Sequence, residues 1–167
     1  MRAGVGVFLE TTVIHEAMKT ILILLLAFLP MTLAAQKLSV EEYAKMKAGK
    51  LAEKSPFEKI ADRELPATIV YENDDVIAFI PLRPQAPVHY LIVPKKRIAT
   101  VNDITDSDAV LLGKLFIAAR DIAAKFGVAE TGYRLAVNTN RDAGQSEFHL
   151  HVHLLGGEFL GPMREVR

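Results

Sequence analysis

Phe148-His149-Leu150-His151-Val152-His153-Leu154-Leu155-Gly156-Gly157 sets three imidazoles in strict alternation with apolar residues. In a strand, successive side chains point to opposite faces. His149, His151 and His153 would therefore share one face, about 6.5 to 7 Å apart, with Leu150, Val152 and Leu154 on the other. The pattern predicts a strand over residues 148–155, with an apolar back and a row of histidines in front. Each buried imidazole needs partners for its ring nitrogens, so three in alternate positions are a costly way to fill a core. Two chemistries stay open on this stretch alone: neutral imidazoles can act on phosphate, or they can surround a zinc ion.

Outward from this strand, residues 133–138 read as another strand, joined to it by the polar, Gly-containing loop 139–147. Upstream, Leu111, Leu115, Ile122 and Phe126 recur at helical spacing. They predict one long helix from Thr105 or Asp106 to Phe126, with Gly127 as the left-handed residue that ends it. Residues 68–72 and 76–80 are β-branched, apolar runs around an Asn73-Asp74 turn. Residues 88–93 form a third strand between Pro87 and Pro94, and His89, Leu91 and Val93 share a face by the period of two. All four histidines beyond His15 thus fall on expected strands. Ahead of these, Pro56 opens a short helix over 56–63 with Phe57 and Ile60 on one side. Ser39 and Glu42 make a capping box for a helix through about Met46 that stops before Gly49. The order β-β-β-α-β-β predicts an α+β domain, an antiparallel sheet with the long helix across one face. Lys95-Lys96-Arg97 reads as a solvated face with no role in the site.

The chain has 167 residues, half of them apolar, which suits one domain. Twenty basic residues balance twenty acidic ones, so the charge excess of a nucleic-acid binder is missing and no nucleic-acid partner is expected. The sequence has no cysteine, which excludes disulfides and thiolate catalysis. Residues 1–35 read as a secretory signal peptide: Lys19, a short apolar run over 21–29, then small residues up to Ala35. Cleavage is expected after Ala35, so that the mature chain begins at Gln36, is periplasmic or secreted, and keeps no membrane-inserted segment. Residues 1–17 do not extend the pattern, which points to Met18 as the true start. The alternatives are an uncleaved anchor or a cytoplasmic protein with a non-functional leader. Residues 36–55 form an N-terminal extension and residues 56–167 the domain.

What separates the two chemistries is the neighbouring sequence. Asn138 and the turn Gly144-Gln145-Ser146 supply amide, hydroxyl and backbone donors for phosphate oxygens beside the three imidazoles. His-Leu-His-Val-His-Leu-Leu-Gly-Gly resembles the signature of the histidine triad (HIT) superfamily. The likeness runs over about a hundred residues, through Pro84-Gln85-Ala86-Pro87-Val88-His89, Ile92-Val93-Pro94-Lys95-Lys96 and Gly132-Tyr133-Arg134. Gly156-Gly157 and the Pro-Gln-Ala-Pro stretch point to its Hint-like, purine nucleoside phosphoramidase branch.

The resemblance implies a HIT-like fold with a five-stranded antiparallel sheet, and a homodimer with a continuous sheet. It implies His151 as the nucleophile that attacks the α-phosphorus and becomes a nucleotidyl-histidine. His149 is similar to the histidine that orients it, His153 to the one that contacts phosphate, and His89 to the family's upstream histidine. Asn138, Gly144, Gln145 and Ser146 match ribose and phosphate contacts, with Ser146 near the leaving group. Phe57, Ile60, Phe79 and Leu82 match the wall around the purine. No cofactor or metal is expected. Pro81 stands where the family often carries an acidic residue for the ribose hydroxyls, which opens ribose selectivity to question. The other readings are a non-catalytic nucleotide-binding module and a histidine metal-binding protein.

Overall fold

The computed structural model describes residues 38–162. The signal peptide, the Met18 start and the Gln36 cleavage site all lie outside the described residues. Within them, no helix is long and apolar enough to cross a membrane.

The elements, in chain order, are α1 (Val40–Leu51), α2 (Pro56–Ala61), β1 (Ile69–Glu72), β2 (Val76–Phe79), β3 (Val88–Pro94), α3 (Ala109–Lys125), β4 (Tyr133–Ala136) and β5 (Val152–Gly156), with short 3-10 turns between. The five strands form one sheet of order β1-β2-β3-β5-β4, and every pairing is antiparallel. The α+β, β-β-β-α-β-β architecture is as the periodicity predicts.

The two faces of the sheet follow from strand alternation. Val76, Ala78, Tyr90, Ile92, Val152 and Leu154 point to one side, where α3 lays Leu115, Ala118, Ala119, Ile122 and Ala123 against them. The small residues on α3 let the helix approach the sheet closely, and burial of this apolar surface is the main drive for folding. Ile77, Phe79, Leu91 and Val93 point to the other side, where α2 covers them with Phe57 alone among its fully buried residues. Gly127, at φ +73, follows α3 as the left-handed residue expected there.

Several boundaries differ from expectation. Helix α1 runs past Gly49 to Leu51. Its end is held from outside: the Arg97 guanidinium donates from Nη2 to the carbonyl of Lys50 in the last turn at 2.9 Å and from Nη1 to the carbonyl of Glu53, just past the helix, at 2.6 Å. With those acceptors occupied, glycine has no need to end the helix. Helix α2 stops at Ala61, where Arg63 at φ +63 turns the chain. The largest difference concerns β5, which begins at Val152 rather than at Phe148, while β4 ends at Ala136. Residues 148–151 extend beyond the ladder, and their backbone groups bond elsewhere: the Phe148 carbonyl accepts from Arg97 Nε at 3.1 Å, and the Leu150 N–H donates to the Ile98 carbonyl at 2.6 Å. Hence His89 and His153 lie on strands, as expected, whereas His149 and His151 do not.

Candidate active site

Alternation survives the loss of pairing, so the histidines still face the α2 side of the sheet. Leu150, Val152 and Leu154 face α3 and are almost wholly buried. His149, His151 and His89 are buried as well. Successive rings touch: His151 and His153 have centroids 5.0 Å apart, and His89 and His153 5.2 Å.

The tautomer of each ring follows from its partners. His149 Nε2 lies 2.7 Å from the Pro94 carbonyl, which can only accept, so Nε2 carries the proton. Nδ1 then accepts from the Ser55 hydroxyl at 2.7 Å. Ser55 is the N-cap of α2, and its oxygen also accepts from the Glu58 N–H at 3.1 Å. A capping hydroxyl therefore orients a triad histidine. His151 Nδ1 lies 2.8 Å from the His149 carbonyl. Its proton must sit on Nδ1, which leaves the Nε2 lone pair as the nucleophilic position.

A second series begins at the loop before β3. The Gln85 N–H donates to His89 Nδ1 at 2.9 Å, so His89 carries its proton on Nε2. That N–H points at His153 Nδ1, 3.0 Å away. His153 must then carry its proton on Nε2, and this atom is buried without a hydrogen-bond partner among the described residues. An orphaned buried donor costs about 1 to 3 kcal/mol unless something accepts from it. The site thus presents a lone pair on His151 beside an unmatched donor on His153.

Burial disfavours the charged imidazolium throughout. It lowers the pKa of His89, His149 and His151 below the ordinary histidine value. It pushes His153 down to about 4, with its neighbours His151 and His89 adding to the effect. All four rings are neutral at physiological pH, as the hydrogen bonds require.

Beside the histidines lies a cavity of about 830 Å³, lined by Phe57, Ile60, Phe79, Pro81 and Leu82 among others, with Glu147 as its single charged lining residue among the described residues. Phe57 ties cavity to triad: its ring packs at 5.5 Å on Phe79 and edge-on at 5.1 Å to His151. All four residues expected around a purine line this cavity, though Leu82 is fully exposed and forms its rim rather than its wall.

The loop residues divide. Gly144 adopts φ +74 after the turn Arg141–Ala143, and Ser146 beside it is exposed. Asn138 is half-buried, two residues beyond the end of β4 at Ala136. Gln145 differs from expectation: its side chain is buried and committed to the protein. Its Nε2 donates to the carbonyls of Ala99 at 2.9 Å and Glu147 at 3.1 Å, and its Oε1 accepts from the Asn140 N–H at 2.8 Å. It shapes the loop and has no amide group left over for a phosphate. The basic triplet differs too. Lys95 pairs with Glu72 at 2.9 Å and Lys96 with Asp108 at 2.5 Å. Arg97 joins Phe148, next to His149, to the end of α1. Ser55, Glu58 and Arg97 were not recognisable as site residues, although Ser55-x-x-Glu58 is itself a capping-box signal.

Among the described residues, no group of three or more His, Cys, Asp or Glu could hold a metal ion. Both His149 nitrogens, and the Nδ1 atoms of His151, His89 and His153, already serve protein partners.

The family model of the HIT domain matches residues 62–160. Purine nucleoside phosphoramidase of Escherichia coli K12 is 50% identical over 113 residues, which cover 68% of this chain and 95% of that protein. Among solved structures, the HIT family hydrolase from Clostridium thermocellum is 50% identical with a TM-score of 0.65, covering 66% of this chain and 96% of that one. The HIT family hydrolase from Legionella pneumophila Philadelphia 1 is 48% identical with a TM-score of 0.64, covering 65% and 96%. With its antiparallel sheet, its ordered row of histidines and these relatives, the chain belongs to the HIT family and is a HIT-family hydrolase.

Proposed function

We propose that the protein hydrolyses purine nucleoside 5′-phosphoramidates, or closely related nucleotidyl compounds, through a nucleotidyl-His151 intermediate. The observation that carries this reading is the fixed tautomer of His151. Its proton is held by the His149 carbonyl at 2.8 Å, so Nε2 offers its lone pair without prior deprotonation.

The Nε2 lone pair attacks the α-phosphorus, the bond from phosphorus to the amine breaks, and the amine leaves with a proton. Water then attacks the same phosphorus, the phosphorus–Nε2 bond breaks, and the nucleoside monophosphate departs. His149 fixes the nucleophile through its carbonyl. The buried N–H of His153 donates to a phosphate oxygen, where negative charge grows in the transition state. His89 holds His153 in the donating tautomer. Ser146, exposed on the loop, is the candidate to relay a proton to the leaving group, and Gly144 and Asn138 flank the phosphate and ribose. Phe57, Ile60 and Phe79, with Leu82 at the rim, receive the purine, whose flat apolar faces suit an aromatic-lined cavity. The relative of this name from E. coli supports the substrate class.

Two further proposals accompany this one. Val110, Phe116 and Ile117 of α3 are exposed, as is Val137 beyond edge strand β4. These surfaces support a homodimer joined through α3 and β4, and a monomer by light scattering would refute it. Export by a cleaved leader predicts Gln36 as the mature N-terminus, and sequencing that finds an intact leader would refute that.

Hydrolysis of adenosine 5′-phosphoramidate tests the main reading, with chelator present and with His151→Ala alongside. Chelator-resistant turnover should fall by about 10³-fold or more in the variant. Equal turnover by the variant would remove the nucleotidyl-histidine mechanism. No turnover by the folded wild-type chain would shift the reading to a nucleotide-binding module, with Pro81 the first residue to replace.

A further inference from the structure

Helix α1 lies outside the part of the chain that the HIT family model matches. None of its residues is buried. A helix of 12 residues is marginal by itself in water and needs a docking partner. Its partner is the loop that precedes the triad. Tyr43, Lys47 and Lys50 stand at i, i+4 and i+7, on one face of α1.

Each of the three reaches this loop. The Tyr43 hydroxyl donates to the Gln145 carbonyl at 3.2 Å, and its ring meets Phe148 edge-on at 5.6 Å. Lys47 Nζ lies 3.5 Å from Asn140 Oδ1 and 5.5 Å above the Phe148 ring. Lys50 pairs with the Glu147 carboxylate. Arg97 closes the clamp by holding the carbonyls of Lys50, Glu53 and Phe148.

We propose that α1 is a positioning element of the active site: it braces the loop of Gly144, Ser146 and Glu147 against the histidines, and Lys50 neutralises the one carboxylate that lines the cavity. The inference rests on the phosphoramidase reading for its effect on substrate. Coupling of this kind is reciprocal: if the loop orders α1, then α1 orders the loop. Lys50 has a second consequence. Glu147 unpaired would set a negative charge beside an anionic substrate, while Glu147 paired does not. Lys50 therefore acts on substrate binding more than on the chemical step.

The test uses the full chain with Lys50→Ala, Lys50→Arg, Lys45→Ala, and Tyr43→Phe combined with Lys50→Ala. For adenosine 5′-phosphoramidate, Lys50→Ala should raise KM by about fivefold, the upper range for a partly exposed ion pair, and leave kcat within about twofold. Lys50→Arg should restore KM, and Lys45→Ala on the outer face should leave it unchanged. Amide exchange at Asn140, Gly144 and Gln145, whose N–H groups are all bonded within the loop, should quicken by about tenfold in the double variant. Unchanged KM together with unchanged exchange overturns the brace. A wild-type chain without turnover overturns the phosphoramidase reading instead, and exchange, which needs no substrate, still decides for or against the brace.

Discussion

The two faces of the sheet carry the same alternating sequence and put it to opposite uses. Behind β3 and β5, Ile92, Val152 and Leu154 meet a helix of 17 residues, and hardly any surface is left exposed. In front, Leu91 and Val93 meet α2, a helix of six residues, and an open cavity remains beside the histidines. Contacts on the helix side are apolar and without direction, so volume and shape decide what is tolerated. On the histidine side every ring is held by hydrogen bonds that fix which nitrogen carries the proton. One face stabilises the domain; the other is organised for chemistry, and it leaves a buried donor unmatched to do so.

Breaking the rear face should give the largest effect. Ile122→Ala, at a fully buried position, is expected to cost about 2 to 5 kcal/mol in urea denaturation while turnover of the folded fraction holds. A fall in specific turnover would show that the faces are coupled. His153→Ala removes the orphaned donor and should reverse this profile, lowering kcat/KM by about a hundredfold with stability changed by less than about 1 kcal/mol. Ser55→Ala sits between the two, because Ser55 caps α2 and also orients His149. It should cost about 1 to 2 kcal/mol and lower turnover by about tenfold, and loss of stability alone would reduce Ser55 to a cap.

Acid titration sharpens the contrast further. The folded pKa values lie below the ordinary 6.5. The neutral rings therefore persist below that pH in the folded state, while the unfolded chain takes up protons there. Stability should be level above pH 6.5 and decline as pH falls below it. The acid limb of kcat/KM should have its midpoint below 6.5, and a midpoint above it would contradict the burial of His151. Leu82→Ala, at the exposed rim, should change stability by less than about 0.5 kcal/mol and KM by less than about twofold.

Much of this comparison is legible in the chain itself. Alternation over residues 148–155 reveals which side chains share a face, and helical spacing from Leu111 to Phe126 reveals the helix that covers the back. What alternation does not report is where pairing stops. Residues 148–151 read as strand because their side chains alternate, yet their backbone bonds go to Arg97 and Ile98, far away in sequence, and to the imidazole of His151 within the stretch itself. Gln145 misleads for a related reason: an amide in a polar loop can serve a ligand or the loop itself, and only the positions of Ala99 and Asn140 decide. Arg97 reads as one of three surface charges because the carbonyls it gathers come from helix α1, the residues just after it and the pre-triad loop, which meet only on folding.

The series from the Gln85 amide through His89 to His153 has a direction: each member donates to the next, and the final N–H is the positive end of a row of aligned dipoles. Such an end welcomes a phosphoryl oxygen and repels a cation. The nitrogen that departs with one proton is a neutral amine; once water gives it a second it is an ammonium ion, which has no lone pair to offer His153 and meets only the positive end of the row. The polarity that draws the substrate in should therefore also speed the first product out, leaving the site clear for water before the amine can recapture the phosphorus.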